Sequence, residues 1–243
     1  MRALRPVVLD LDQTLIRAEV LDWALWLDAM AEAFGQPVPL DQDWGAYPVH
    51  TDHGLLESLS QQLRGRPFED HERARFEADL FSRIDAALAA DPGVFVPISG
   101  AGALLAALQG RSCLATGNLH PVTLRKLRSS GLDRWPLPCS CSGPGIDRAE
   151  LVRRALLRVG WAPGAAATSF GDGVWDVRAA RALGIGFVGV AQSDRHEARL
   201  RAAGAAHVIR DYDDLDAVLQ LTQEAPLPGP ESATAWKAPQ AAE

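Results

Sequence analysis

Apolar and polar positions follow two different rhythms along this chain. Val7-Val8-Leu9 is an unbroken apolar, β-branched run, and it predicts a buried strand over residues 6–11. From Ile16 to about Ala90 the spacing becomes helical. Val20, Leu21, Ala24, Leu25, Leu27, Met30, Ala31 and Phe34 mark one helix, LLESLSQQL a second, and the charged stretch 69–90 a third. A Gly/Pro/Asp-rich segment separates the first two, and no strand is predicted anywhere in this block.

Asp91-Pro92-Gly93 and Pro97 end the helical block. Strands are then predicted at 111–115, near 136–141, and at 166–170, 185–190 and 206–209. Helices at 100–109, 121–130, 148–159, 176–183, 194–203 and 213–222 alternate with them. Such alternation predicts βαβ units and a parallel sheet, whose ligands gather at the carboxyl ends of the strands. The expected organisation is an α/β core formed by 1–16 and 97–224, with an all-helical insert over 17–96. The Pro-, Ala- and Gly-rich residues 225–243 are expected to be a disordered tail.

Composition narrows the function classes. A net charge of −7 argues against nucleic-acid and membrane-surface partners. No apolar run approaches the ~18–20 residues of a membrane span. The N-terminal apolar run is also too short for a secretory leader, so a cytoplasmic location is expected. The three cysteines, Cys113, Cys139 and Cys141, lack metal-ligand or disulfide-framework spacing and read as small apolar filler on strands.

The candidate chemistry lies at the predicted strand ends. The first strand runs into Asp10-Leu11-Asp12-Gln13-Thr14, the next into Thr116-Gly117-Asn118, and a later one into Gly171-Asp172-Gly173-Val174-Trp175-Asp176. Asp147-Arg148 opens a helix between the last two. Two close carboxylates at the end of a buried strand repel each other and need a neutralising partner. Hard oxygen donors gathered on loops suit Mg²⁺. One carboxylate can then attack a phosphoryl group while a second exchanges protons.

In this order the four motifs resemble those of the haloacid dehalogenase-like (HAD) superfamily: D-x-D-x-T, a strand-ending Thr, a later basic residue, and G-D-x-x-x-D. Thirty-two positions separate Thr116 from Arg148, and 24 separate Arg148 from Asp172, close to the family's spacing. The resemblance covers about residues 6–222. It implies a Rossmannoid parallel-sheet core with an inserted helical C1 cap. It further implies a Mg²⁺-dependent phosphatase that acts on a small-molecule phosphate monoester through a phosphoaspartate intermediate. Asp10 is then the nucleophile and Asp12 the acid/base, with the Asp12 backbone carbonyl on the metal. Thr116, Gly117, Asn118 and Thr14 hold the phosphoryl group, Arg148 neutralises charge, and Asp172 and Asp176 complete the metal site with Asp10. Three departures stand out: Gln13 occupies a position where many relatives have Gly, Val174 and Trp175 make the metal loop bulky, and the basic residue is Arg rather than Lys. Lys126 lies mid-helix between Arg125 and Arg128 and reads as part of a solvated face.

The insert resembles the caps of phosphoglycolate phosphatase-like members, and His50-Thr51-Asp52-His53-Gly54 resembles their specificity loop, with Val49 where relatives often have Gly. His50, Thr51 and Asp52 are therefore expected to face the leaving group, although Thr51 or Asp52 also suits a helix N-cap. Arg64 and Arg66 read as a solvated face, and Trp23, Trp26 and Trp44 as cap packing. Asp12 argues against haloacid dehalogenation, and the absence of lysine from 17–95 argues against Schiff-base chemistry. A receiver-type signalling domain would carry no such insert. A phosphomutase of the same superfamily, or a non-catalytic binding protein on this scaffold, remains the alternative.

Overall fold

The computed structural model describes residues 4–38 and 50–232, with the side chains of 19–22 excepted. Trp44, Val49 and the tail beyond Ser232 lie outside the described residues. The chain forms β1 (Val7–Leu9), β2 (Ile16–Arg17), α1 (Glu19–Phe34), α2 (Asp52–Arg64), α3 (Asp70–Ala90), β3 (Val96–Pro97) and α4 (Ala101–Ala107). There follow β4 (Ser112–Ala115), α5 (His120–Ser129), β5 (Cys139–Ser140), α6 (Arg148–Leu157), β6 (Thr168–Gly171) and α7 (Val174–Leu183). The chain continues through β7 (Gly186–Val190), α8 (Asp194–Ala202), β8 (His207–Ile209) and α9 (Leu215–Glu224).

Six strands make one parallel sheet in the order β5-β4-β1-β6-β7-β8. The apolar run 7–9 is buried on both faces, so it takes the central place. Leu9 is level with Leu114 of β4 and Phe170 of β6. This register brings Asp10, Thr116 and Asp172 out at one edge of the sheet, where the strand order reverses.

Two apolar clusters cover the two faces of the sheet. One contains Val8, Cys113, Leu151, Val177, Phe187 and Leu200. The other joins Leu9, Leu104, Leu114, Leu119 and Phe170 to the insert residues Trp26, Met30, Leu55, Leu59, Phe76 and Ile84. The insert thus shares its interior with one face of the sheet. Within it, α1 packs on α3, with Trp26 edge-on to Phe76 at 5.7 Å and Phe34 stacked on Phe68 at 5.3 Å.

Three expectations need correction. The insert is not free of strands where it meets the core. β2 and β3 pair antiparallel, with Ile16 opposite Pro97 and Arg17 opposite Val96, and the expected boundaries fall inside this ribbon. Strands of two residues are too short for any periodicity to reveal. The tail is not disordered from residue 225: Pro226 O accepts from Phe187 N at 3.1 Å, and Gly229 N and Ser232 N donate to Gly204 O and Ala202 O at 2.9 Å each. Arg178 also pairs with Glu231 at 2.7 Å. Residues 225–232 lack an apolar period because backbone bonds, not a hydrophobic stripe, fasten them. Finally, Cys113 is buried as filler on β4, whereas Cys139 and Cys141 are only half-buried.

Candidate active site

β1 ends in a tight turn that sets the first two carboxylates. Leu15 N and Ile16 N both donate to Leu11 O, and Gln13 N donates to Ile16 O at 2.7 Å. Gln13 takes φ +55°, the one non-glycine residue with positive φ among those described. That conformation explains why glycine suits this position in related sequences. Leu11, Leu15 and Ile16 are fully buried, so the turn is anchored by its apolar side and presents Asp10 and Asp12 on the other.

The two carboxylates meet different surroundings. Asp10 faces Asp172 and Asp176, and one oxygen from each of the three lies within 4.8 Å of the others. Arg148, at the start of α6, donates through Nη2 to Asp10 and through Nε to Asp176 at 2.6 Å. Burial pushes the Asp10 carboxyl up to about 7, with Arg148 opposing and Asp176 and Asp12 adding to the rise. Burial, followed by the facing charges of Asp10 and Asp176, raises Asp172 well above the usual carboxylate range. Burial also raises Asp176 against the pull of Arg148. Burial works against the charge of Arg148, yet Asp10 and Asp176 hold its protonation above the ordinary value.

Three hard oxygen donors converge here with more negative charge than a single guanidinium offsets. This donor set fits a small divalent cation of the Mg²⁺ type. Asp176 is further fixed by accepting Gly173 N at 3.0 Å. A Cβ on Gly171 would lie 2.5 Å from the Asp176 carboxyl carbon, so only glycine fits at the end of β6. His196 of α8 hydrogen-bonds through Nε2 to the Asp172 backbone carbonyl at 2.6 Å. No sequence signal pointed to His196.

Asp12 lies outside this trio. Lys126 Nζ reaches both of its oxygens, at 2.9 and 3.0 Å, and also Asn118 Oδ1 at 3.1 Å. Asn118 Nδ2 bonds Asp12 Oδ2 as well as Thr116 Oγ1. Lys126 is therefore not on a solvated face; it is fully buried, on the same side of α5 as Val122, Thr123 and Leu127. Arg125 points the other way and pairs with Asp85 of α3 at 2.6 Å.

One cavity of about 160 Å³ joins these groups to the insert. Asp10, Asp12, Thr116, Gly117, Asn118, Arg148 and Asp172 form its floor, and His50, Thr51 and Asp52 belong to its wall. Thr51 caps α2, its Oγ1 accepting from Gly54 N at 3.1 Å. Asp52 holds the insert to the core: its Oδ2 accepts from Leu119 N, and its N donates to Gly117 O, both at 2.8 Å. His50 stacks on Trp175 with ring centroids 4.4 Å apart. Thr14 is not among the lining residues. It is fully buried behind the turn, where its carbonyl accepts from Tyr212 Oη at 2.7 Å. Asp176 also sits behind the lining rather than in it. Arg64 and Arg66 pair with Glu72 at 2.5 and 2.7 Å, away from the cavity. Trp23 and Trp26 reach the cavity wall, beyond the packing role expected for them.

No family model matches the chain, and no curated protein matches it. Solved structures do. A hydrolase from Pseudomonas syringae superposes with a TM-score of 0.67 at 22% identity, over 90% of this chain and 100% of that one. A HAD family hydrolase from Deinococcus radiodurans, solved with bound phosphate and sodium, gives 0.53 at 21% identity over 93% and 98%. A predicted phosphoglycolate phosphatase from Haemophilus somnus gives 0.61 at 14% identity over 88% and 97%. The fold is the HAD-like fold, a parallel-sheet α/β core with a helical insert after the first strand.

Proposed function

We propose that this protein hydrolyses a small-molecule phosphate monoester through a phosphoaspartate formed on Asp10. The observation that carries the reading is the unequal treatment of two carboxylates two residues apart: Asp10 in the acidic trio under Arg148, and Asp12 outside it under Lys126 and Asn118. A pair of titratable groups held in contrasting environments divides the labour of nucleophile and proton carrier. The phosphate bound to the structurally similar D. radiodurans hydrolase is in keeping with this reading.

Asp10, Asp172, Asp176 and the Asp12 backbone carbonyl are the groups that would hold Mg²⁺. When bound, the ion supplies positive charge to the phosphoryl oxygens and to the attacking carboxylate. The chain's own residues do the rest. Asp10 Oδ attacks phosphorus, and the bond to the leaving oxygen breaks. Thr116 Oγ already accepts from Asn118 N at 3.2 Å and Nδ2 at 2.8 Å, so its own proton is directed toward the phosphoryl group. Arg148 favours the anionic form of Asp10 against the effect of burial and offsets the charge that builds up in the transition state. Asp12 hands a proton to the leaving alcohol and later takes one from the water that cleaves the acyl phosphate.

The test is phosphoenzyme trapping with 4-nitrophenyl phosphate, whose leaving group needs no proton. Asp12→Ala should accumulate acid-stable, hydroxylamine-labile label in the presence of Mg²⁺. Asp10→Asn should show neither label nor turnover while retaining its circular dichroism, and EDTA should silence the wild type. Label on Asp10→Asn, or more than a few per cent of wild-type kcat, overturns the assignment.

A further inference from the structure

Resting on the phosphatase reading, a narrower question is what kind of alcohol leaves. We infer that the cavity selects esters whose leaving group presents a flat, aromatic and uncharged face. Three of the six residues by which the insert lines the cavity carry aromatic rings: Trp23, Trp26 and His50. Trp23 and Trp26 lie nearly parallel, 8° apart with centroids at 6.4 Å, and both line the wall with Ala18. At the same cavity the His50–Trp175 stack, tilted only 20°, brings an insert ring onto a core ring. Trp175 is the bulky departure in the G-D-x-x-x-D loop, so the core adds to the aromatic wall as well. Buried Trp26 is braced by Phe76, which fixes the face it shows. Rings held in this way gain by offset stacking on another ring.

Charge argues in the same direction. From Ala18 to Leu63 the sequence contains no lysine or arginine but holds eight acidic residues. Later basic residues of the insert are engaged elsewhere: Arg64 and Arg66 with Glu72, Arg73 with the Phe68 carbonyl, Arg83 with Asp79. Arg148, the one cation among the described lining residues, is held by Asp10 and Asp176. Asp52 also faces the cavity, as does Asp12, whose charge already engages the Lys126 ammonium. A leaving group bearing its own carboxylate or second phosphate would meet negative charge with no cation to receive it, and burying an unpaired anion is strongly unfavourable. A cavity of about 160 Å³ is of the size that takes a single ring and leaves no space for a larger aromatic system.

The experiment compares benzyl phosphate with ethyl phosphate, phosphoglycolate and phosphocholine on full-length protein with Mg²⁺. Benzyl and ethyl alcohols are comparably poor leaving groups, so the comparison reports recognition rather than intrinsic reactivity. The expected result is a kcat/KM for benzyl phosphate ~10–200-fold above that for ethyl phosphate, the range a hydrophobic pocket can discriminate, and further above that for phosphoglycolate. Trp23→Ala should shrink the benzyl-to-ethyl ratio about tenfold, and Trp23→Phe should restore most of it. Equal or faster turnover of phosphoglycolate overturns the inference, and so does a preference for phosphocholine, which would assign the rings to a cation instead. If no ester releases phosphate, the phosphatase reading fails on its own. Calorimetry of benzylphosphonate against phosphonoacetate then decides the pocket: tighter benzylphosphonate upholds the inference, and equal or weaker binding overturns it.

Discussion

Lys126 is fully buried, and its ammonium contacts both oxygens of Asp12, the Asn118 side chain and, at 5.7 Å, the face of Phe95. Removing one member of a buried ion pair is costly only where the charge left behind is cut off from water, and Asp12 keeps 29% of its side chain exposed and still bonds Asn118, whereas misplacing a reacting group by an ångström can cost ~10²-fold in rate. Lys126→Met is therefore expected to keep its melting temperature within a few degrees while kcat/KM falls by ~10²–10³. Steady-state kinetics beside a thermal melt separates the two effects, and a silent variant would return Lys126 to a packing role. The position was open to sequence reasoning. Lys126 is four residues after Val122 and next to Leu127, on the apolar stripe of its helix, and it is one of two lysines in a chain whose other side-chain cations are arginines. Its flanking arginines hid that stripe. Asp10, Asp12, Thr116 and Asp172 are legible because each follows a strand recognisable by its apolar run, and Arg148 because Asp147 before it marks the start of a helix. Thr14 lies behind the turn rather than in the lining, because the spacing of a motif does not say to which side of a turn a hydroxyl points.

At the scale of elements, one contact between the insert and the core is made at the start of α2 and the loop after β4. Asp52 bonds across it twice, and Gly117 lies against the backbone of His50 and Thr51. A Cβ added at Gly117 would stand 2.6 Å from the His50 carbonyl oxygen and 3.3 Å from Thr51 Cα. Both neighbours are backbone, so relief requires the whole end of α2 to shift. Gly117→Ala is expected to cost about 1–3 kcal/mol of stability, the usual range for overpacking, and to raise KM several-fold as the wall carrying His50 moves off the floor. Denaturant melts and initial rates check this. An unchanged KM with normal stability would mean that α2 is not held at this contact. The helices themselves were readable from their apolar spacing, and all nine among the described residues coincide with predicted segments to within two or three residues at their ends. The β2–β3 ribbon was not readable, because at two residues a strand the pairing is decided by where the chain returns.

At the scale of the molecule, the sheet is closed along β7 by residues far from it in sequence. Gly186 leaves room for the Ala225 carbonyl, which would lie 2.4 Å from an added Cβ, and Arg181 donates to the carbonyls of Gly229 and Ala203. Truncation after Glu224 is expected to lower the melting temperature by several degrees, while truncation after Ser232 keeps every one of these bonds. Differential scanning calorimetry of the two truncations tests this, and equal melting temperatures would show that the strap contributes nothing. The ribbon carries a consequence of a different kind. Ile16 and Pro97 are neighbours in space, so the chain leaves the core and re-enters it at adjacent points. An excursion between two such points adds closure entropy only slowly with its length. The insert can therefore lengthen or shrink away from the apolar residues it shares with the sheet without disturbing the register of β1 against β4 and β6. In evolutionary terms most of the selective wall is separable from the hydrolytic floor: apart from Trp175, which the core supplies, rewriting residues 18–95 changes what the cavity accepts while the carboxylates beneath stay where the sheet holds them.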